Sequence, residues 1–450
     1  FGTLSYVYAG QNGVGSSAGI QTRYGNLGPR IGFAYDTSGQ GTTVIRGGYG
    51  IVYFPDPFSA SDELGQQPPY TVSQTFSAPA TFPLAGSAGP YGNACPSSGA
   101  CLPSINNPFP QGVVSLNPST LINTASLNAA APALIGHEMK NLTPYMETWN
   151  LDIEKQLGSS AMAEIAYAGS RGIHLTYVYN PNEVQPGTGT QNSRRLIQPL
   201  NNISTWAQED ERNMSNYHSL QVKLTKRYQF GLSALVSYTF SKSLDYGGSA
   251  ASGGGAVGNP QTVTDLKAGY GLSGFDQKNR FISSFTYELP FGVGKPFVNS
   301  GIAARVIGGW EVDGITTFAS GLPFSVGLNS GVNNGAPSWP NRIKSGILSN
   351  PDPSMWFDVT AFVAPPANTY GNAGRGLLYG PSTANWDLSV QRQFKFTERL
   401  SLRFRMDAFN AFNTPNFGEP NTAIGSSNAG KITGTVNDNR DLQASTTFTF

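Results

Sequence analysis

Residues 400–411 read LSLRFRMDAFNA. On an extended chain, Leu400, Leu402, Phe404, Met406 and Ala408 fall on one face, and Ser401, Arg403, Arg405 and Asp407 on the other, because successive side chains of a strand point to opposite sides. A strand that is apolar on one face and charged on the other suits the wall of a membrane-spanning antiparallel β-barrel. The outside of such a wall meets hydrocarbon, its inside meets water or a plug, and closure leaves no unpaired edge in lipid.

The alternation recurs on both sides of this stretch. Residues 148–157 (TWNLDIEKQL) set Trp149, Leu151 and Ile153 against Asn150, Asp152 and Glu154. Residues 217–227 (YHSLQVKLTKR) set Leu220, Val222 and Leu224 against Gln221, Lys223 and Thr225. Residues 232–240 (LSALVSYTF) set Leu232, Ala234, Val236, Tyr238 and Phe240 against Ser233, Ser237 and Thr239, and Trp386, Leu388 and Val390 oppose Asp387, Ser389 and Gln391. Fainter versions lie at 29–35, 43–53, 161–169, 279–289, 309–319 and 440–450, giving about eleven strands, with a further candidate at 3–9.

The links between these strands alternate in length. Short ones fall near 36–42, 158–160, 228–230 and 396–399, and 290–308 is intermediate. Long ones fall near 54–147, 170–215, 242–278, 320–383 and 412–439. Bacterial outer-membrane barrels pair short periplasmic turns with long extracellular loops. If the chain ends in the periplasm, every short link falls on that side and every long one outside. The long links are rich in Gly, Pro, Ser and Asn, as in GGSAASGGGAVGNP at 247–260, a composition shared with flexible linkers between soluble domains. Aromatic residues gather near strand ends at Trp149, Tyr238, Phe240, Phe281, Tyr287, Trp310 and Trp386. Interfacial girdles place them there, although a sandwich core also uses aromatics.

Bulk composition agrees with a lipid-facing surface. Of 450 residues, 12% are charged and 12% aromatic, and 54 are Gly. The charged share is about half that of an ordinary soluble protein. The net charge of +1 gives no electrostatic reason to expect nucleic acid as a partner. Mean hydropathy is −0.24 and no run of about 18 apolar residues is present, which excludes helical membrane spans and leaves barrels open. Residues 1–10 (FGTLSYVYAG) lack the basic and apolar regions of a signal peptide. They resemble a strand, and we expect the chain to be a fragment whose upstream part is missing. About eleven strands would then form roughly the C-terminal half of an approximately 22-stranded plugged barrel.

Specific stretches resemble a known family. NLGPRIGFAYDTSGQGTTVIRGGYGIVY at 26–53, SNYHSLQVKLTKRYQFGLSALVSYTFSKSLD at 215–245, FDQKNRFISSFTYELPFG at 275–292 and GGWEVDGITTFASGLPFSV at 308–326 form the first part of the match. GNAGRGLLYGPSTANWDLSVQRQFKF at 371–396 and RFRMDAFNAFNTPNFGEPNT at 403–422 complete it. In this order the set resembles the Oar-like TonB-dependent receptors, which carry a carboxypeptidase-regulatory-like domain at the N-terminus. The resemblance implies one β-barrel domain over residues 1–450, with a signal peptide, an N-terminal β-sandwich and a plug upstream. It further implies residence in the outer membrane of a Gram-negative bacterium, coupling to the TonB complex through an upstream segment, and import of a small solute. The terminal DLQASTTFTF has Leu442, Ala444, Thr446, Phe448 and Phe450 on one face. It resembles the strand signal read by the barrel-assembly machinery, departing at Thr446, where a larger apolar residue is more usual.

Fragments of catalytic and metal-binding patterns also occur in the chain. Gly15 to Gly19 (GSSAG) fits G-x-S-x-G around Ser17, but QNGV and IQTRYG do not supply the strand before and helix after that a nucleophile elbow needs. His137, His174 and His218 are far apart and outside any metal-ligand spacing. Glu209, Asp210 and Glu211 cluster in a long link, where solvated charge, a cation site or a carboxylate pair for glycoside hydrolysis are the alternatives. Asp352 and Asp358 lack the spacing of a calcium loop, and GLSGFD and GGGAVG lack the ending of a phosphate-binding loop. Cys95 and Cys101, in NACPSSGACL, are spaced for a disulfide in an oxidising compartment, with two free thiols or a metal site as alternatives. The reading is therefore a non-enzyme with no cofactor and no metal. Recognition would reside in the long links, and no individual ligand-binding residue is identified. A non-transporting structural or adhesive barrel is the alternative. An open half-barrel leaves two long edges, so residues 1–450 alone are expected not to fold as a soluble monomer.

Overall fold

The computed structural model describes residues 16, 23–54, 134–137, 142–200, 203–204, 206–247, 259–329, 331–336 and 338–450. Eleven long strands form one antiparallel meander. They are β1 (Arg30–Asp36), β2 (Thr43–Tyr53), β3 (Tyr145–Leu157), β4 (Ala161–Tyr179), β5 (Trp206–Gln229) and β6 (Leu232–Asp245), followed by β7 (Asn279–Glu288), β8 (Trp310–Ala319), β9 (Thr383–Lys395), β10 (Ser401–Phe409) and β11 (Asp441–Thr449). Each pairs with its neighbours in sequence, from β1 at one end to β11 at the other. Every one of the eleven periodic stretches is a strand, and the links keep their short–long alternation. The candidate at 3–9 lies outside the described residues.

Register separates two chemistries by a single residue step. One row across the sheet runs Leu232, Tyr287, Val312, Val390, Met406 and Ala444. The adjacent row runs Ser233, Thr286, Asp313, Ser389, Asp407 and Gln443. The first meets lipid and the second faces the lumen. Among the described residues no helix is long and apolar enough to cross a membrane, so the crossing is made by strands.

Aromatics mark both borders of the apolar face. Phe281, Phe318, Trp386 and Phe412 form a chain of ring contacts at 5.0–5.8 Å. Trp310 packs edge-on against Phe404 at 6.4 Å near the opposite end. Trp310 and Phe318 are eight residues apart on β8, about 27 Å along the strand, or about 20 Å along the membrane normal at a tilt of ~40°. That approaches the ~25 Å apolar band of outer-membrane barrels.

The largest departure from expectation is at 170–215. It is not simply a loop, because β4 continues to Tyr179 and β5 begins at Trp206. The two strands stay paired through register shifts between Gly172 and Tyr177, where His174 takes a φ of 56°. The 24-residue β5 far exceeds the ~9–11 residues that span a bilayer, so its first half stands outside the membrane. There the short strand Leu134–His137 adds to it in parallel.

The turn between β5 and β6 holds two residues with positive φ, Phe230 at 57° and Gly231 at 82°, enclosed by the pair Gln229–Leu232. Positive φ at both positions is the geometry for which hairpins favour Asn-Gly. A phenylalanine there bears steric strain while 90% exposed. Phe230→Asn is expected to stabilise the barrel by about 1 kcal/mol, read as a higher urea midpoint for the full-length protein in vesicles.

The intermediate link between β7 and β8 contains a short helix, α1 (Gly301–Ile307). Among the described residues β1 pairs only with β2, and β11 only with β10. All nine residues of β11 are exposed, with Leu442, Ala444, Thr446 and Phe448 on the lipid side of the register.

Candidate functional site

The wall and its outer rim carry two polar features. The first is the lumen face. Asp313 on β8 accepts hydrogen bonds from Thr286 Oγ1 at 2.7 Å, Gln391 Nε2 at 3.0 Å and Ser389 Oγ at 3.1 Å. Gln391 also donates to Glu311 at 2.6 Å. Arg405 donates to Asp407 at 2.8 Å and reaches Asp313 at 3.9 Å. Thr286, Asp313, Ser389, Arg405 and Asp407 border an open trough of about 630 Å³. A second set lies across β2 to β5, where Arg46 pairs with Glu154 and Asp152 and Lys223 pairs with Glu164. The sequence-predicted lumen residues Arg405 and Asp407 are therefore bonded to each other along the wall, and Arg403 lines the neighbouring hollow beside Gln391.

The second feature is the rim carrying the long links. The described residues within 180–205, 246–278, 320–382 and 410–440 interlock. Buried Gln261 donates to Gly371 O at 2.9 Å and accepts from Trp339 N at 2.6 Å and Gly371 N at 3.1 Å. Glu183 accepts from Thr262 Oγ1 and from Val263 N. Tyr370 OH donates to Gln185 at 3.3 Å, and Asn334 donates to Gly189 O at 2.9 Å. Asn182, fully buried, bonds Leu200 O, Ile203 O and Ile197 N. Beneath them Phe324, Val326, Phe357, Ala361, Phe362, Ala373 and Leu378 form an apolar core with Trp339 and Trp356 at its edge. Burial in this layer raises the Tyr177 phenol to about 12, with Glu183 adding to the effect. Burial raises Tyr379 further, helped by the hydrogen bond that its OH donates to Asp276 at 2.8 Å.

The layer depends on close backbone approach. A Cβ on Gly321 would land on the carbonyl of Gly380. Gly321→Ala is expected to cost about 1–3 kcal/mol locally, read as faster cleavage of residues 320–382 by an external protease on intact cells.

The acidic cluster is a correction. Glu209, Asp210 and Glu211 are not solvated loop charges: they lie in the outer half of β5, 1–3% exposed. The continued β4–β5 pairing and the added strand enclose them, and Asp210 pairs with Arg212, which in turn stacks on Tyr179 at 4.5 Å. Asp352 and Asp358 build turns. Asp352 accepts from Ser354 N at 2.7 Å. Asp358 caps residues 359–361 through Thr360 N at 3.0 Å, and the hydrogen bond from Lys344 holds its carboxyl below the usual range. His218 shares a 2.7 Å hydrogen bond with Tyr167 beside Trp149, in an aromatic cluster. His174 packs edge-on to Tyr145 at 5.6 Å. His137 lies in the short added strand. Cys95, Cys101 and Ser17 lie outside the described residues. Among the described residues no group of three or more His, Cys, Asp or Glu is arranged to hold a metal. Sequence reasoning missed Asn182, Gln261 and Arg375, whose surroundings are aperiodic and rich in Gly and Pro.

A family model described as "Outer membrane beta barrel domain" matches residues 2–443. Among solved structures, the outer membrane transporter YddB from Escherichia coli is similar at 10% identity and a TM-score of 0.44, over 94% of this chain and 40% of that one. The pyoverdine outer membrane receptor FpvA from Pseudomonas aeruginosa PAO1 is similar at 10% identity and 0.39, over 93% and 35%. The FrpB iron transporter from Neisseria meningitidis is similar at 9% identity and 0.39, over 94% and 39%. The chain thus spans two fifths or less of the length of each of these three. No curated protein matches it.

Proposed function

Because this chain belongs to the outer membrane β-barrel domain family, in the outer membrane of a Gram-negative bacterium, we propose that it is part of a receptor that captures a small solute at its outer rim and imports it into the periplasm. The observation that carries this reading is the interlocked layer of long links at the rim of a wall with one polar face. Loops held by a rigid scaffold are where recognition commonly resides, and a polar wall bordering an open trough suits passage of a hydrated solute. Energy would come from the TonB complex through an upstream segment, and a plug would fill the lumen; both follow from the Oar-like resemblance. β11, ending next to Phe450, would be the strand engaged by the assembly machinery. The protein itself performs no covalent chemistry in this reading.

The test compares a deletion strain with one expressing the full-length protein. Depletion of individual small molecules from the medium is followed with and without a protonophore. Energy-dependent depletion of at least one solute by the expressing strain alone is expected. Equal depletion by both strains refutes import and leaves the structural or adhesive barrel.

A further inference from the structure

The link between β7 and β8 lies on the short-turn side of the wall, yet it carries a row of uncovered apolar side chains. In α1, Ile302 is 82% exposed and Val306 60%, with Ile307 also exposed, whereas Ala304 is buried against the rest of the protein. At 100° per residue, Ile302, Ala303, Val306 and Ile307 occupy one arc of the helix and Ala304 points away from it. The arc is therefore turned outward, not onto the barrel.

The helix is held from the lipid side. Arg392 on β9 is opposite Trp310 and Phe404 in the register, in the same alternate positions as Leu388 and Val390. Its guanidinium lies over the rings of Phe394 at 4.3 Å and Trp310 at 5.7 Å. Its two Nη groups donate to the carbonyls of Arg305 and Val306, at the C-terminal turn of α1. The link is also pinned to itself: a Cβ on either Gly292 or Gly308 would meet the other's Cα at 2.6 Å. An arginine on the hydrocarbon side of a barrel snorkels toward the interface. Here the carbonyls that receive it belong to α1, so the helix sits at the border where the lower aromatics mark the edge of the bilayer.

We propose that α1 is an interfacial anchor, its Ile302–Val306 arc set into the periplasmic leaflet of the outer membrane among glycerophospholipid acyl chains just below the headgroups. The apolar arc is continuous with the lipid face through Arg392, Trp310 and Phe404. Arg305 flanks it, placed for anionic headgroups, whereas Lys295 in the same link pairs with the lumen-side Glu288 at 2.6 Å. The anchor is independent of whether the barrel imports a solute.

The test uses the full-length protein with Cys95 and Cys101 changed to Ser, in vesicles of phosphatidylethanolamine and phosphatidylglycerol. Nitroxides are placed singly by Ile302→Cys and Val306→Cys, with Thr397→Cys in the β9–β10 turn as an aqueous reference. Collision with oxygen and with a water-soluble nickel chelate is measured by power saturation. High oxygen access with several-fold lower nickel access than at Thr397 is the expected result at both helix sites. Nickel access equal to that at Thr397 places the helix in water and overturns the proposal. Protection from both reagents means that protein covers the arc, and overturns it equally. Adding Arg392→Gln is expected to raise nickel access at Ile302 while the barrel remains folded by its resistance to SDS at room temperature. An unchanged profile would remove Arg392 as the tether.

Discussion

Arg375→Met is expected to unlatch the outer layer by about 3–5 kcal/mol, the cost of breaking one partner out of a buried ion pair. Both side chains of the Arg375–Asp245 pair are almost fully buried, at 1% and 6% exposure, with Nη2 3.0 Å from the carboxylate. The other nitrogen donates to Asp245 O at 3.0 Å and Gly269 O at 2.8 Å. One guanidinium thus joins the end of β6, the link 246–278 and the link 320–382. Gly247, at a φ of 70°, lies so close that a Cβ would meet the guanidinium carbon at 2.7 Å. Removing the cation leaves the Asp245 carboxylate buried with Gly247 N, at 2.8 Å, as its remaining donor in this cluster. The measurement is amide exchange of residues 259–272 and 371–378 in the full-length protein, with at least a hundred-fold loss of protection expected, since 1.4 kcal/mol is a factor of ten. Adding Asp245→Asn to Arg375→Met should restore much of it, because the isolated charge is then gone. Full protection in the single variant would show that the apolar core around Phe324 and Phe357 holds the layer without the pair.

Leu388→Arg is expected to cost about 2–4 kcal/mol of barrel stability, the penalty for a cation near the bilayer midplane on the lipid face of a barrel. Leu388 stands in the row Gly314–Leu388–Ala408, level with the midpoint between Trp310 and Phe318 on β8 and too far from either aromatic border for an arginine to reach water easily. Ser389→Arg, one residue away, faces the lumen among Asp313, Asp407 and Gln391. It should cost less, since the new cation stands beside the Asp313 and Asp407 carboxylates and not in hydrocarbon. The comparison is made by urea unfolding of the full-length protein in vesicles. Equal costs at the two positions would contradict the assignment of faces.

Period-2 alternation at 400–411, 217–227 and 232–240 placed the strands, the two faces and the parity of the links, and β10, β5 and β6 occupy those positions in the structure. These features are legible because they are local. A strand's faces follow from adjacent residues, and lipid on one side with water on the other leaves a hydrophobic signature in each strand by itself. The ends of β4 and β5 were not legible. Beyond the membrane the lipid requirement lapses, so the IHLTYVY of residues 173–179 no longer marks a face, and acids such as Glu209 and Asp210 are buried by the strand that pairs beside them.

The outer layer was decided by the tertiary structure alone. Tyr370 reaches Gln185 across 185 residues, Arg375 reaches Asp245 across 130, and Gln261 reaches Gly371 across 110. A hydrogen bond between such partners leaves no period in either segment, and Gly- and Pro-rich composition describes a folded loop as well as a flexible one. The wall was written residue by residue along the chain because each strand meets lipid separately. The layer that covers it exists only where the sheet brings the ends of distant strands to the same rim.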